Sequence, residues 1–131
     1  CLVVPKNTDV LIDKKALLLN LGLISHPDAA HYLSLYFAQS EEGSLRKLDI
    51  AEIPHVGFIN QISQILEPIA KGIGFTVIPK SVVDSFSKPN KITVVKSQNP
   101  VLETLYLVRK KNRILPERFK TFNSVIEQIW S

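Results

Sequence analysis

Gly57-Phe58-Ile59-Asn60-Gln61-Ile62-Ser63-Gln64-Ile65-Leu66-Glu67-Pro68-Ile69-Ala70-Lys71-Gly72-Ile73-Gly74-Phe75-Thr76-Val77-Ile78-Pro79 is the stretch on which the fold turns. Ile62, Ile65, Leu66, Ile69 and Ala70 recur at i, i+3, i+4, i+7 and i+8, the spacing of one buried helical face. The pattern predicts a helix over Asn60–Lys71, with the Asn60 side chain as its N-cap. Gly72 follows the last turn and is suited to a left-handed helix stop. Pro68 has no N–H to give, so it predicts a kink inside that helix. Phe75 to Ile78 carries few polar atoms and reads as a buried parallel strand, which Pro79 ends.

The same alternation continues on both sides. Upstream, Leu2–Val4 reads as a strand closed by Pro5, Lys14–Leu19 as a short helix and Gly22–Ser25 as a strand. Pro27–Ala38 reads as a helix with Ala30, Leu33 and Phe37 inward. Pro27 suits a first turn, and Ser25 and Asp28 have the spacing of a capping box. Gln39–Lys47 is a polar loop. Ile50–Phe58 is extended, and Pro54 bars it from being a regular central strand.

Downstream, Ser81–Phe86 is a short helix and Ile92–Val95 a strand. Glu103–Val108 reads as another strand. A last helix, Pro116–Trp130, carries Phe119, Phe122, Ile126, Ile129 and Trp130 on one stripe. Ser87–Lys91 and Ser97–Pro100 are the expected links. Strands alternating with helices argue for an α/β fold.

Composition narrows the function classes. The chain has 131 residues, 45% hydrophobic and 21% charged, which is an ordinary globular balance for one domain. No apolar run approaches the roughly 18 residues of a membrane span. A single cysteine excludes an internal disulfide framework and a multi-cysteine metal site. Cys1-Leu2-Val3-Val4-Pro5 reads as a strand already under way. It lacks the charged and apolar regions of a signal peptide, so the chain is expected to come from a longer polypeptide. The net charge is +4, and Arg109, Lys110, Lys111 and Arg113 concentrate it late. No aromatic residue interleaves with that run, which favours a solvated loop over a nucleic-acid patch.

A search for reaction chemistry leaves little. His26 and His31 are five residues apart and His55 stands alone, with no cysteine or carboxylate at ligand spacing, so no metal site is expected. There is no nucleophile elbow, phosphate loop or dinucleotide fingerprint, and no cofactor is expected. Glu41 and Glu42 are adjacent and make a poor acid–base pair. No catalytic residue is assigned, and the chain is not expected to be an enzyme.

Binding is the remaining possibility. Open α/β sheets take ligands outside the carboxyl ends of their strands. Three strand-to-helix junctions then matter: Ser25-His26-Pro27-Asp28, Phe58-Ile59-Asn60-Gln61 and Pro79-Lys80-Ser81. Helix starts leave N–H groups unpaired and favour an anion. The candidate ligand-binding residues are Ser25, His26, Pro27, Asp28, Phe58, Asn60, Gln61 and Ser81. Plain helix capping accounts equally well for Ser25 and Asn60.

Ile69-Ala70-Lys71-Gly72-Ile73-Gly74-Phe75-Thr76-Val77-Ile78-Pro79 resembles the effector-binding domain of LysR-type transcriptional regulators. There a helix ends in an apolar-Ala-x-Gly-x-Gly turn, followed by a short strand and a proline. Leu107-Val108-Arg109, then Arg113-Ile114-Leu115-Pro116 and an amphipathic helix, is similar to the family's closing segment.

The resemblance implies a periplasmic-binding-protein-like (type II) α/β fold of two lobes. Residues 1–100 would be effector-binding lobe two. Residues 101–131 would be the C-terminal strand and helix that pack back on lobe one. It further implies a small-molecule effector, anionic in character, and DNA binding through an N-terminal domain outside this chain. A homo-oligomer in the bacterial cytoplasm, away from membranes, is implied too. Since the family's ligand lies between lobes, only half of its site would be present here. A solute-binding lobe for transport, or an enzyme domain of the same fold, are the alternatives.

Overall fold

A computed structural model describes residues 1–130 of the chain. In order it forms β1 (Leu2–Pro5), α1 (Lys14–Leu21), β2 (Leu23–Ser25), α2 (Ala29–Ala38) and α3 (Gly43–Arg46). There follow β3 (His55–Phe58), α4 (Leu66–Ala70), β4 (Thr76–Val77), α5 (Lys80–Asp84), β5 (Ile92–Val94) and α6 (Glu117–Trp130). Short 3-10 turns lie at Ile50–Glu52, Ile62–Gln64 and Pro89–Lys91.

The strands form two small sheets that meet. β1 lies between β4 and β5 and is antiparallel to both, while β2 and β3 are parallel. Leu23 and Phe75 form a parallel bridge between the sheets. There the Ile24 N–H donates to Phe75 O at 2.8 Å and the Phe75 N–H to Gly22 O at 2.8 Å. The resulting spatial order is β3-β2-β4-β1-β5, with every strand except β1 running the same way. The α/β class therefore holds. The parallel strand expected at Phe75–Ile78 pairs in parallel only at Phe75, because Thr76 and Val77 pair antiparallel with β1.

Strand alternation sorts the core into two halves. Leu2, Val4, Leu23, Phe75 and Val77 pack with Leu18, Leu33, Tyr36, Phe37 and Leu45 from α1, α2 and α3. Val3, Ile24, Ile78 and Ile92 pack on the opposite side with Ile65, Leu66 and Ile69. Helices thus cover both sheet faces. Each such Leu or Ile contributes about 1.5–3 kcal/mol relative to remaining exposed. The buried Thr76 hydroxyl is satisfied by donating to Ile24 O at 3.1 Å.

The segment from Gly57 to Pro79 departs from expectation in an instructive way. The single helix Asn60–Lys71 is instead a 3-10 turn followed by α4, and Asn60 is an exposed residue ahead of both rather than an N-cap. A continuous helix would have left the carbonyl four residues before Pro68 without its donor. With a fresh start at Leu66, Pro68 falls in the first turn, where an N–H is not needed and no interior kink arises. The glycine reading holds. Gly72 has φ 91°, its N–H donates to Ile69 O at 2.9 Å, and the Ile73 N–H donates to Pro68 O at 3.0 Å. That pair of bonds is a Schellman stop. Gly74 has φ 65°, and a Cβ there would lie 2.9 Å from Gly22 O and 2.9 Å from Val56 Cγ2. Its lack of a side chain lets the chain approach the β2–β3 pair closely enough to bridge.

Other boundaries shift. The helix expected over Pro27–Ala38 begins at Ala29, and Asp28 makes no side-chain capping bond, so the capping box does not form. That start turns Ala29 inward and leaves Ala30 exposed; the buried face is Ala29, Leu33, Tyr36 and Phe37. The polar loop expected over Gln39–Lys47 contains α3, which buries Leu45. The extended segment expected over Ile50–Phe58 opens with a 3-10 turn, and only His55–Phe58 is strand. The strand expected over Glu103–Val108 does not form; that stretch is exposed and has no ladder partner among the described residues. The last helix forms as α6 but buries no side chain.

Candidate functional site

Because β2, β3, β4 and β5 run the same way, their carboxyl ends share one edge of the sheet. β2 delivers Ser25 and His26 there, β3 delivers Phe58, β4 leads to Pro79, and β5 leads to Val95 and Lys96. From β2 the chain moves outward to β3, then returns past β2 to β4 on its other side. This reversal of order is a topological switch point, the place where open α/β sheets take ligands outside the strand ends.

The first two junctions meet there. Ser25 is opposite Phe58 in register, and the Ile59 N–H donates to Ser25 O at 2.9 Å. Ser25 is buried to 9% exposure and His26 to 3%. His26 packs against Tyr32 with ring centroids 5.6 Å apart, and its Nε2 lies 3.4 Å from Val77 O. This residue is thus a buried support under the junction. Pro27 and Asp28 are exposed in the turn that opens α2. Phe58 is 62% exposed, and Asn60 and Gln61 are exposed beyond it. The third junction contributes differently. Ser81 is exposed on α5, while Pro79 and Lys80 border a separate cleft.

That cleft holds about 530 Å³ and lies at the carboxyl ends of β4 and β5, against α2. Tyr32, Leu35, Tyr36, Val95, Lys96 and Val101 are among its walls, and none of the eight candidate residues lines it. Residues 97–103 run along it and are fastened to α2 and the loop after it by side-chain bonds. Gln39 Nε2 donates to Leu102 O at 2.8 Å, and Gln39 Oε1 accepts the Leu102 N–H at 3.0 Å. Glu41 Oε1 accepts from the Asn99 N–H at 3.0 Å and from Asn99 Nδ2 at 2.6 Å. His31 Nε2 and Glu103 Oε1 are 2.6 Å apart.

Sequence reasoning missed the cleft because its walls come from segments far apart in the chain. The only local signal is the alternation of Gln39 and Glu41, which fall in the polar loop expected over Gln39–Lys47. Burial, then Glu42, raises the Tyr36 phenol above its ordinary range, and burial, Asp28 and Glu103 do the same for Tyr32. Both phenols stay protonated through neutral pH. Hydroxyls, two lysines, the Glu103 carboxylate and apolar walls are thus the groups on offer, a set suited to holding a small molecule.

A second groove, of about 680 Å³, lies between residues 103–107 and α6, with Leu105, Leu107, Phe122, Ile126 and Trp130 in its walls. Among the described residues no group of three or more His, Cys, Asp or Glu is placed to hold a metal ion. No helix among them is long and apolar enough to cross a membrane. Comparisons with protein-family models, curated proteins and solved structures returned no significant match.

Proposed function

We propose that this chain is the second lobe of the effector-sensing domain of a LysR-type, DNA-binding transcriptional regulator, with a periplasmic-binding-protein-like type II fold. The observation that carries this is the switch-point edge, where Ser25 and Phe58 are brought into register beside the start of α2. The Gly72–Gly74 stop and turn, on which the family resemblance rests, supports it independently.

Residues 1–100 form the lobe, and residues 101–131 are the closing segment that packs on lobe one. A small anionic metabolite binds between lobes. On this side it meets Ser25, the Pro27–Asp28 turn, Phe58, Asn60 and Gln61, with His26 supporting from beneath. Such an anion is favoured at a helix start, where the first N–H groups have no partner within the helix. Its differential affinity for two lobe orientations shifts DNA binding by the domain upstream, with no covalent chemistry. The regulator acts as a homo-oligomer in the bacterial cytoplasm.

The test uses the polypeptide that carries this chain. Its DNA binding is followed by fluorescence anisotropy while small mono- and dicarboxylates are added. A carboxylate-dependent change in DNA affinity is expected, and Asn60→Ala and Ser25→Ala should weaken it. If the polypeptide does not bind DNA, or carries a secretory signal in place of a helix-turn-helix, a transport lobe replaces this proposal.

A further inference from the structure

We propose that the cleft beneath residues 97–103 is a second ligand site, built for a small amphiphilic carboxylate with its chain inside and its head group at Lys96. It is distinct from the switch-point junction of Ser25 and Phe58 and does not rest on the regulator proposal.

The first ground is size and lining. About 530 Å³ lies within the range of small-molecule pockets, roughly 300–1,000 Å³. Leu35, Val95 and Val101 form apolar walls, and Tyr32 and Tyr36 add ring faces. A saturated or aromatic chain would displace water from these walls and gain the usual apolar transfer free energy.

The second ground is charge at the mouth. Lys80 is held by Asp84 at 2.5 Å, and Glu103 is held by His31. Lys96 is exposed and has no carboxylate within ion-pair distance among the described residues. Lys96 is thus an ammonium at the mouth without a carboxylate partner, and such a group selects a carboxylate over a neutral head group.

The third ground is access. Residues 97–103 contribute no buried side chain, and they are fastened by the Gln39, Glu41 and His31 bonds described above. Solvent-exposed hydrogen bonds of this kind open locally without disturbing the core. The segment can therefore admit a ligand and reclose.

The experiment is calorimetric titration of the 131-residue chain with hexanoate, octanoate and decanoate, and with the matching alcohols. Saturable one-site binding is expected, tightening with chain length, with the alcohols weaker by about tenfold. Lys96→Gln is a surface change and should remove that tenfold preference without altering alcohol binding. Val101→Trp should fill the cleft and abolish binding, with circular dichroism reporting whether it folds. Ser25→Ala and Asn60→Ala should leave this binding unchanged, which separates its failure from failure of the regulator proposal. Absence of saturable binding, equal affinity for acid and alcohol, or loss of binding on Phe122→Ser in the α6 groove would each overturn it.

Discussion

Residues 2–95 and residues 101–130 both carry periodic apolar side chains, yet they end in opposite environments. In the first region Leu2, Val3, Val4, Leu18, Leu33, Leu45, Ile65, Ile69 and Phe75 are all within 1% of complete burial. In the second no residue is buried, and Leu105, Tyr106, Leu107, Val108, Phe119, Phe122, Ile129 and Trp130 are exposed. Periodicity states which face of an element seeks cover. It does not state what supplies the cover. In the first region the chain itself supplies it, since strands with alternating faces find helices on both sides. In the second, the amphipathic stripe of α6 borders a groove shared with residues 103–107 and buries no side chain among the described residues.

The largest expected effect sets one region directly against the other. Phe75→Ala removes a fully buried ring at the junction of the two sheets and should cost about 3–5 kcal/mol in urea unfolding. Trp130→Ala should change stability by no more than about 0.5 kcal/mol, because its ring is 66% exposed. Comparable losses from the two would erase the contrast.

Within the first region the two glycines of the turn sharpen it further. Gly74→Ala meets both a positive φ and a carbonyl at 2.9 Å, and should cost about 2 kcal/mol or more. Gly72→Ala meets only the positive φ, with open space around it, and should cost about 1 kcal/mol. If Gly72 were the costlier site, close approach would not be the reason for Gly74.

Smaller still is the cap of α1, where the Ala16 N–H donates to Asp13 Oδ2 at 2.9 Å. Asp13→Ala should lower stability by about 1 kcal/mol, read as a shift of the urea midpoint with an unchanged slope.

The last effect is confined to alkaline pH. Burial raises the Tyr36 phenol above its usual value, with Glu42 adding to the shift. The unfolded chain then ionises first, near pH 10, while the folded chain keeps its proton. This contribution is fully present below pH 10 and is lost as pH rises through the folded value. Tyr36→Phe should flatten that alkaline decline, measured by urea unfolding between pH 9 and 11; an unchanged decline would assign it to other groups.

Much of the first region was legible because its signals are local. The face Ile62–Ile65–Leu66–Ile69, the stop at Gly72 and the strand end at Pro79 follow from residues a few positions apart. The errors mark where tertiary demands override them. Asn60 has cap chemistry, but the chain starts its helix later, so that Pro68 falls in a first turn. Glu103–Val108 has strand composition, but a strand needs a neighbour's hydrogen-bonding edge, and this stretch joins neither open edge of the sheet, β3 or β5. The candidate site divides in the same manner. Strand ends and their junction residues could be placed from order alone. The register of Ser25 with Phe58, the burial of His26 and the cleft under residues 97–103 depend on contacts between segments dozens of residues apart.

Residues 2–95 cover their own apolar faces while residues 101–130 leave theirs exposed, which the proposed regulator would cover with lobe one. Hydrogen–deuterium exchange tests it most directly, comparing the 131-residue chain with the longer polypeptide proposed to carry it. Amides of Leu105–Val108 and Phe119–Trp130 should exchange quickly in the chain alone and become protected in the longer polypeptide, while those of β1, β2 and β4 remain protected in both. Equally fast exchange of residues 105–130 in both forms would contradict it.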